Sequence, residues 1–273
     1  MIKPVLPQWL RFGAALLILV GLGARAAAQA APAPHPVIEL RQYKIVAGRR
    51  DAMIALFERH FVESQEATGA RLVGQYRDLG DPDRFTWIRG FDSMEARGRS
   101  LGAFYSGPVW RANRAAANAM LDDNDNVLLL RPAFPNSGFA AAWGSRAAVD
   151  AAATPAGLVV ATIHYLWKDP GEGFAAFFRE RLAPAYAAAG LPVLGSYVTE
   201  TEPNDFPALP VRQHEKVFVW FTRVADRATY DRARESLAAA PEWRQSLGPR
   251  LDDFEERPPQ ILLLAPTPRS LLR

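Results

Sequence analysis

The chain has 273 residues, contains no cysteine and carries a formal net charge of +3 at neutral pH. The lack of cysteine excludes disulfides and thiolate metal sites, and it is compatible with export to an oxidising compartment. The three basic residues among the first 30 account for the whole excess of charge, so the remaining chain is formally neutral and gives no argument for nucleic-acid binding.

Residues 1–30 have the pattern of a secretory signal peptide. Lys3 and Arg11 precede an uncharged apolar run, and Ala28-Gln-Ala30 is typical of a cleavage site. An uncleaved anchor is the alternative, but the apolar run is shorter than the roughly 20 residues of a membrane-spanning helix. We therefore expect cleavage near Ala30, secretion into the periplasm and no stable membrane span in the mature protein.

Residues 37–133 predict the order strand, helix, strand, strand, helix, strand. Apolar residues recur every three or four positions after the first strand, which indicates a helix that Gly69 ends. Two further strands flank a Gly-Asp-Pro-Asp turn and predict a β-hairpin. Asp92 is interpreted as the cap of the next helical region, and residues 127–132 form the last strand.

Residues 158–266 repeat this order in a degenerate form. Gly74 matches Gly195 at an offset of 121 residues, whereas Trp87 matches Trp220 at an offset of 133. The 12 extra residues are assigned to a proline-containing insertion at residues 200–215, which we interpret as a stiff exposed loop.

The segment between the repeats, residues 134–157, is interpreted as a linker with a short helix near residues 146–152. The element order of each repeat is that of the ferredoxin-like fold, in which both helices cover one face of a four-stranded sheet. The other face needs a partner. We therefore predict an α+β protein in which two ferredoxin-like repeats pack sheet to sheet as a barrel within one chain.

The repeats resemble the NIPSNAP family, whose domains belong to the dimeric α+β barrel superfamily. The first repeat shows this in Glu-Leu-Arg-x-Tyr at residues 39–43, the glycine-containing strand at 72–76, Trp87 and Trp110. The second repeat keeps Tyr165 and Trp220 but has Ala161 and Ile163 where we place Glu39 and Arg41. The resemblance implies two tandem NIPSNAP-like domains. The repeat offset of 122 residues makes Tyr43 and Tyr165 equivalent.

Side-chain alternation along the first strand defines a candidate ligand pocket. Ile38 and Leu40 lie on one face, and Glu39, Arg41 and Tyr43 lie on the other. If the helices cover the apolar face, the polar face points into the barrel. Guanidinium groups and aromatic rings suit a planar anionic ligand. The candidate residues are Glu39, Arg41, Tyr43, His60, Trp87, Arg89, Tyr165 and Trp220.

A purely structural role is the alternative for these residues, because a buried carboxylate requires a partner whether or not a ligand binds. Glu39 would then pair with Arg41 or Arg89, and the aromatic rings would belong to the core. His60 lies in the apolar stripe of the first helix. Because distant barrel relatives place an axial histidine on a helix, the resemblance makes His60 a candidate haem ligand, with a core or rim histidine as the alternative.

The sequence requires no cofactor, predicts no metal site and assigns no catalytic residue. In eukaryotic members, the resemblance implies adaptor or trafficking roles, and in distant barrel relatives it implies haem-binding enzymes and cofactor-free monooxygenases. We predict an exported, non-enzymatic binding or interaction protein with a small aromatic or anionic ligand or a protein partner. The alternative is an enzyme acting on a small aromatic or haem-like molecule. The protein could be a monomer or a homo-oligomer.

Overall fold

The computed structural model describes residues 36–140 and 145–273, together with Met1, so the predicted signal peptide beyond Met1 lies outside the described residues. The first half contains β1 (Val37–Ile45), α1 (Arg50–Leu56), a π-helical turn (Phe57–Phe61), α2 (Val62–Glu66), β2 (Arg71–Asp78), β3 (Arg84–Phe91), α3 (Met94–Ser106), α4 (Pro108–Asn118), β4 (Leu121–Asp123) and β5 (Val127–Pro132). The second half contains β6 (Leu158–Leu166), α5 (Phe174–Phe177), a π-helical turn (Phe178–Leu182), α6 (Ala183–Ala188), β7 (Gly195–Thr199), β8 (Val217–Val224), α7 (Arg227–Ala239), a π-helical turn (Trp243–Leu247), α8 (Gly248–Asp252) and β9 (Glu255–Pro266).

Local sequence signals set several of these boundaries. Gly69 and Gly190 have φ angles of 102° and 90°, in the left-handed region that glycine adopts without strain, and each follows the end of a helical region. Helix α3 is capped by Ser93, whose side chain accepts a hydrogen bond from the backbone of Ala96, so the prediction of Asp92 as the cap was wrong by one residue. Residues 145–157 contain no helix, so the predicted linker helix is also wrong.

Eight strands form one closed antiparallel barrel. The first half contributes the order β5-β1-β3-β2, and the second contributes β9-β6-β8-β7. Pairing of β2 with β9 and of β5 with β7 joins the halves and closes the ring, while the short strand β4 adds to β1. The predicted α+β barrel is confirmed.

No helix within residues 36–140 and 145–273 combines the length and apolarity that a membrane crossing requires.

The barrel interior is an apolar core shared by both halves. It contains Ile38 and Leu40 of β1 together with Val159, Ala161 and Ile163 of β6. Because strand side chains alternate, Glu39, Arg41 and Tyr43 lie on the outer face, between the sheet and the helices. Their predicted inward orientation is wrong. A closed eight-stranded barrel fills its interior with side chains, so the more apolar face turns inward, and the helix layer supplies partners for the polar face.

Strand register also corrects the assignment of equivalent residues. Arg41 lies opposite Trp87 in the β1–β3 pair, and Thr162 lies opposite Trp220 in the β6–β8 pair. The counterpart of Arg41 is therefore Thr162 rather than Ile163. By the same register, Val160 corresponds to Glu39, and His164 corresponds to Tyr43. The predicted equivalence of Tyr43 and Tyr165 is wrong, because Tyr165 points into the barrel interior.

Candidate functional site

A buried charge cluster lies on the outer face of β1 and β3. Arg41 Nη1 and Arg89 Nε each donate a hydrogen bond of 2.7 Å to Glu39 Oε2. Arg97 of α3 donates a hydrogen bond of 2.7 Å from Nε to Glu39 Oε1. All four side chains are fully buried. The predicted pairing of Glu39 with Arg41 or Arg89 is confirmed, and Arg97 completes the cluster.

The cluster carries an excess of positive charge. Burial alone would raise the pKa of Glu39, but the charges of Arg89, Arg41 and Arg97 outweigh burial and hold this pKa well below its usual range. Arg97 also forms an ion pair with Asp205, which belongs to the insertion at residues 200–215. Three guanidinium groups thus face two carboxylates, so one positive charge remains in excess in an environment of low polarity.

Tyr43 connects this cluster to a neighbouring cavity. Arg41 Nε donates a hydrogen bond of 2.8 Å to the Tyr43 hydroxyl. Burial raises the pKa of Tyr43 to about 12, so the hydroxyl keeps its proton at neutral pH and can donate it. Within the part of the chain that the structure describes, Arg41 Nη2 and Trp87 Nε1 are buried donors without a hydrogen-bond partner. Such donors are costly unless a further group satisfies them.

The cavity has a volume of about 380 Å³ and lies between the outer face of β1 and β3 and helices α1 to α4. Nine aromatic side chains contribute to its wall: Tyr43, Phe57, Phe61, Phe85, Trp87, Phe104, Tyr105, Trp110 and Phe206. The rings of Tyr43 and Trp87 meet edge to face, with centroids 5.6 Å apart. Gln65, Asn118 and Asn124 add polar groups to this mainly aromatic wall. The arrangement suits a planar aromatic molecule with an acidic oxygen at one end.

The eight predicted site residues lie in three different kinds of position. Tyr43 and Trp87 line the cavity. Glu39, Arg41 and Arg89 lie behind them in the charge cluster. The remaining three residues, His60, Tyr165 and Trp220, are absent from the cavity wall.

The three residues outside the wall have other surroundings. His60 is partly exposed in the first π-helical turn, which does not fit an axial haem ligand buried in this cavity. Tyr165 belongs to the barrel core, and the guanidinium carbon of Arg257 lies 3.7 Å from its ring centroid. Trp220 packs in the helix layer of the second half. No cluster of potential metal ligands occurs within residues 36–140 and 145–273.

The corresponding place in the second half is filled. Tyr186 stacks on Trp220 with a centroid distance of 4.3 Å. Trp220 Nε1 donates to His164 Nε2 at 3.2 Å, and His164 Nδ1 lies 2.6 Å from Glu255 Oε1. The register places Thr222 where the first half has Arg89, so the second half lacks the arginine cluster.

Sequence reasoning missed the contributions of Arg97, Gln65 and Phe206. Arg97 had a detectable signal, because it falls in the stripe of buried α3 residues that includes Met94, Leu101 and Phe104. A charged residue on an apolar helical stripe requires a buried partner. Gln65 and Phe206 gave no such signal, since their roles depend on contacts with Arg89 and Tyr105 that are distant in sequence.

The closed antiparallel barrel with its outer helices has an α+β barrel fold. Residues 38–134 match the NIPSNAP family model, as the sequence motifs of the first repeat predicted. This match covers the half that contains the charge cluster and most of the cavity wall. No curated protein matches the chain.

Solved structures support the fold across both halves. A protein of Lactobacillus acidophilus that is provisionally named a monooxygenase has a TM-score of 0.55 and 13% identity, covering 87% of this chain and 97% of its own. A protein of Fusobacterium nucleatum with the same provisional name has a TM-score of 0.54 and 11% identity, covering 86% and 93%. An anthrone oxidase-like protein has a TM-score of 0.54 and 10% identity, covering 85% and 91%. At these identities the similarity concerns the fold alone.

Proposed function

We propose that the first half binds a planar aromatic molecule with an acidic oxygen, such as a carboxylate or phenolate. The observation that carries this proposal is the aromatic cavity whose Tyr43 hydroxyl is backed by the Arg41 guanidinium at 2.8 Å. The rings would contact the flat faces and edges of the ligand. The acidic oxygen would accept a hydrogen bond from the Tyr43 hydroxyl, whose oxygen in turn accepts one from Arg41 Nε.

The charge cluster favours an anion over a neutral ligand. Its excess positive charge lies close to two rings of the cavity wall, because the Arg41 guanidinium carbon is 5.2 Å from the Tyr43 ring centroid and 5.5 Å from that of Trp87. Electrostatic attraction is strong where water is excluded. Because Glu39 already holds the arginines in place, ligand binding would not have to order them.

The wall composition favours binding over catalysis. Among residues 36–140 and 145–273, those that line the cavity include no histidine, lysine, aspartate or glutamate. No lining side chain is therefore suited to exchange protons near neutral pH, as a general acid or base would. This supports a non-enzymatic binding protein. The insertion at residues 200–215, predicted to be an exposed loop, also covers the cavity with Phe206 and Leu209, which favours a small molecule over a protein as the ligand.

The proposal can be tested with a hydroxynaphthoate anion as the probe, detected by energy transfer from the cavity tryptophans. Tyr43→Phe should weaken binding by about ten- to 150-fold, the equivalent of one hydrogen bond to a charged group. Tyr186→Phe is the matched control, because it removes a buried tyrosine hydroxyl from the filled second half. Neutral hydroxynaphthamide should bind more weakly than the anion, with less dependence on Tyr43.

Equal affinity for the anion in wild-type protein and Tyr43→Phe would contradict this function, as would binding that does not saturate. Thermal melting of both variants serves as the folding control. Arg41→Ala is a poorer test of ligand binding. Removing the Arg41 side chain would leave the buried Glu39 carboxylate with one partner fewer and would therefore destabilise the fold as well.

A second candidate is cofactor-free oxidation of the bound molecule by O₂. It is favoured by the positive charge beside the cavity, which would stabilise the deprotonated substrate that donates electrons to O₂. Conversion of a substrate CH₂ group to C=O by one O₂, with release of one water, balances without a further reductant. Oxygen uptake with anthrone that is lost in Tyr43→Phe would support this reaction. Saturable anthrone binding without oxygen uptake would exclude it for that substrate.

We also propose export of the protein, which rests on the sequence of residues 1–30. Intact mass of protein isolated from the periplasm should correspond to a chain that begins at Ala31. A full-length mass in the cytoplasmic fraction alone would contradict export.

A further inference from the structure

The insertion at residues 200–215 belongs to the second half but covers the cavity of the first. Its ends are attached to β5, with Glu200 N donating to Leu129 O at 2.9 Å and Arg212 N donating to Val127 O at 2.8 Å. Between these anchors, Leu209 is buried against the cavity cluster. Phe206 stacks on Tyr105 with centroids 5.7 Å apart and an interplanar angle of 23°.

The tip of the insertion is a self-contained turn. Asn204 Nδ2 donates to Leu209 O at 2.9 Å, Phe206 N donates to Asn204 Oδ1 at 3.1 Å, and Leu209 N donates to Phe206 O at 3.0 Å. Within the described ranges, the hydrogen bonds from this turn to the first half come from one side chain, Arg97, which bonds Asn204 and Asp205. A turn with internal bonds and one polar attachment can move as a unit about its anchored ends.

Helix α3 is shaped to receive the Asp205 carboxylate. A Cβ atom added at Gly98 would lie 2.6 Å from Asp205 Oδ2, which is closer than van der Waals contact allows. The lack of a side chain at Gly98 therefore leaves room for the Asp205 carboxylate beside Arg97. Arg97 also bonds Glu39, so the same guanidinium joins the insertion to the anion-binding cluster.

We infer that residues 200–215 form a gate over the cavity, that the Arg97–Asp205 pair latches it, and that Phe206 limits the size of the ligand. This inference rests on the proposed function. The ligand enters when the turn lifts from α3 and is enclosed when Asp205 returns to Arg97. Phe206, stacked on Tyr105, lines the cavity and takes up space that a larger ligand would need.

The latch can be weakened without removing a charge. Gly98→Ala places a methyl group against the Asp205 carboxylate, and alanine is the better helix former, so the helix itself is preserved. Gly102→Ala is the matched control, because it lies in the same helix with no atom within 4 Å of the added Cβ. Stopped-flow binding of hydroxynaphthoate should show association and dissociation rates at least about fivefold higher in Gly98→Ala than in Gly102→Ala.

Phe206→Ala tests the size limit in the same assay. The ratio of affinities for anthracene carboxylate over hydroxynaphthoate should rise by about tenfold or more, because the side of the cavity that Phe206 occupies is opened.

The outcomes separate the gate from the binding function. Tyr43-dependent binding with equal association and dissociation rates in Gly98→Ala and Gly102→Ala would overturn the gate alone. An unchanged affinity ratio in Phe206→Ala would overturn its role in ligand size. Failure of the wild-type protein to bind the probe saturably would overturn the proposed function and the gate together.

Discussion

The two halves of the barrel have the same strand order but use the layer between sheet and helices differently. In the first half this layer holds a buried arginine cluster and a cavity of about 380 Å³. In the second half it holds the stacked pair of Tyr186 and Trp220, with His164 bonded between Trp220 and Glu255. The scaffold therefore allows either a site or a packed core at this position, and a few side chains decide which one forms.

One such difference lies in the helix that covers the sheet. Gln65 occupies the position in the first half that Tyr186 occupies in the second, at the same 121-residue offset as Gly74 and Gly195. Gln65 accepts a hydrogen bond of 2.6 Å from Arg89 and leaves space above Trp87, whereas the Tyr186 ring fills the corresponding space above Trp220. A shorter polar side chain thus keeps the cavity open and also helps to hold the cluster.

The largest expected effect on stability comes from Glu39. Glu39→Gln keeps the shape of the side chain but leaves three buried guanidinium groups without their shared carboxylate. The free energy of unfolding should fall by about 3–5 kcal/mol, the cost typical of breaking a buried ion pair. Urea denaturation would measure it. Glu255→Gln is the control in the second half, where a single His164 contact predicts a loss of about 1 kcal/mol.

Equal losses in the free energy of unfolding for Glu39→Gln and Glu255→Gln would contradict the prediction. They would show that the buried carboxylate matters no more in the first half than in the second.

Exchanging the side chains at positions 65 and 186 should test the difference between the open first half and the filled second half in both directions. Tyr186→Gln should destabilise the protein by about 2–4 kcal/mol, because it opens a cavity above Trp220 without providing an arginine cluster. It should not create binding of the hydroxynaphthoate probe. Gln65→Tyr should abolish probe binding by filling the first cavity, which Gln65 lines. Denaturation and fluorescence titration measure the two effects.

Probe binding by Gln65→Tyr at wild-type affinity would contradict the location of the site. New binding by Tyr186→Gln would show that the aromatic wall suffices without the arginines.

The smallest expected effect is the pH dependence of stability that Glu39 contributes in the first half. The pKa of Glu39 lies far below its ordinary value of 4.5, so its contribution to stability is present above that pH and is lost progressively as the pH falls below it. Below pH 4.5, the free energy of unfolding of the wild type should fall by up to about 1.4 kcal/mol per pH unit more than that of Glu39→Gln. Parallel curves for the two proteins between pH 5 and about pH 3 would contradict this assignment.

Much of the fold followed from local patterns. The order of strands and helices, the hairpin turn, and the alternation of Glu39, Arg41 and Tyr43 against Ile38 and Leu40 are visible in the sequence. The two tandem family domains remain a prediction, since the family match covers residues 38–134. The pairing of Glu39 was predictable because a buried carboxylate requires a cationic partner.

Other features could not be predicted from the sequence pattern. The motif match of Tyr43 with Tyr165 was off by one residue, and in a strand one residue reverses the face on which a side chain lies. The insertion at residues 200–215 was recognised by its length and prolines, but its position over the other half's cavity depends on contacts from Arg97 and Tyr105. Such contacts join residues about a hundred positions apart and leave no periodic signal.

The sequence by itself determined which side chains share a face, because alternation in a strand and spacing in a helix are local properties of the backbone. Only the tertiary structure decided where each face points. Closing eight strands into a ring turned Ile38 and Leu40 inward and placed Glu39, Arg41 and Tyr43 beneath the helices. The physical reason is that the barrel interior is filled mainly by apolar side chains of both halves, whereas the charged partners that Glu39 and Arg41 need lie on the outer face, between the sheet and the helices.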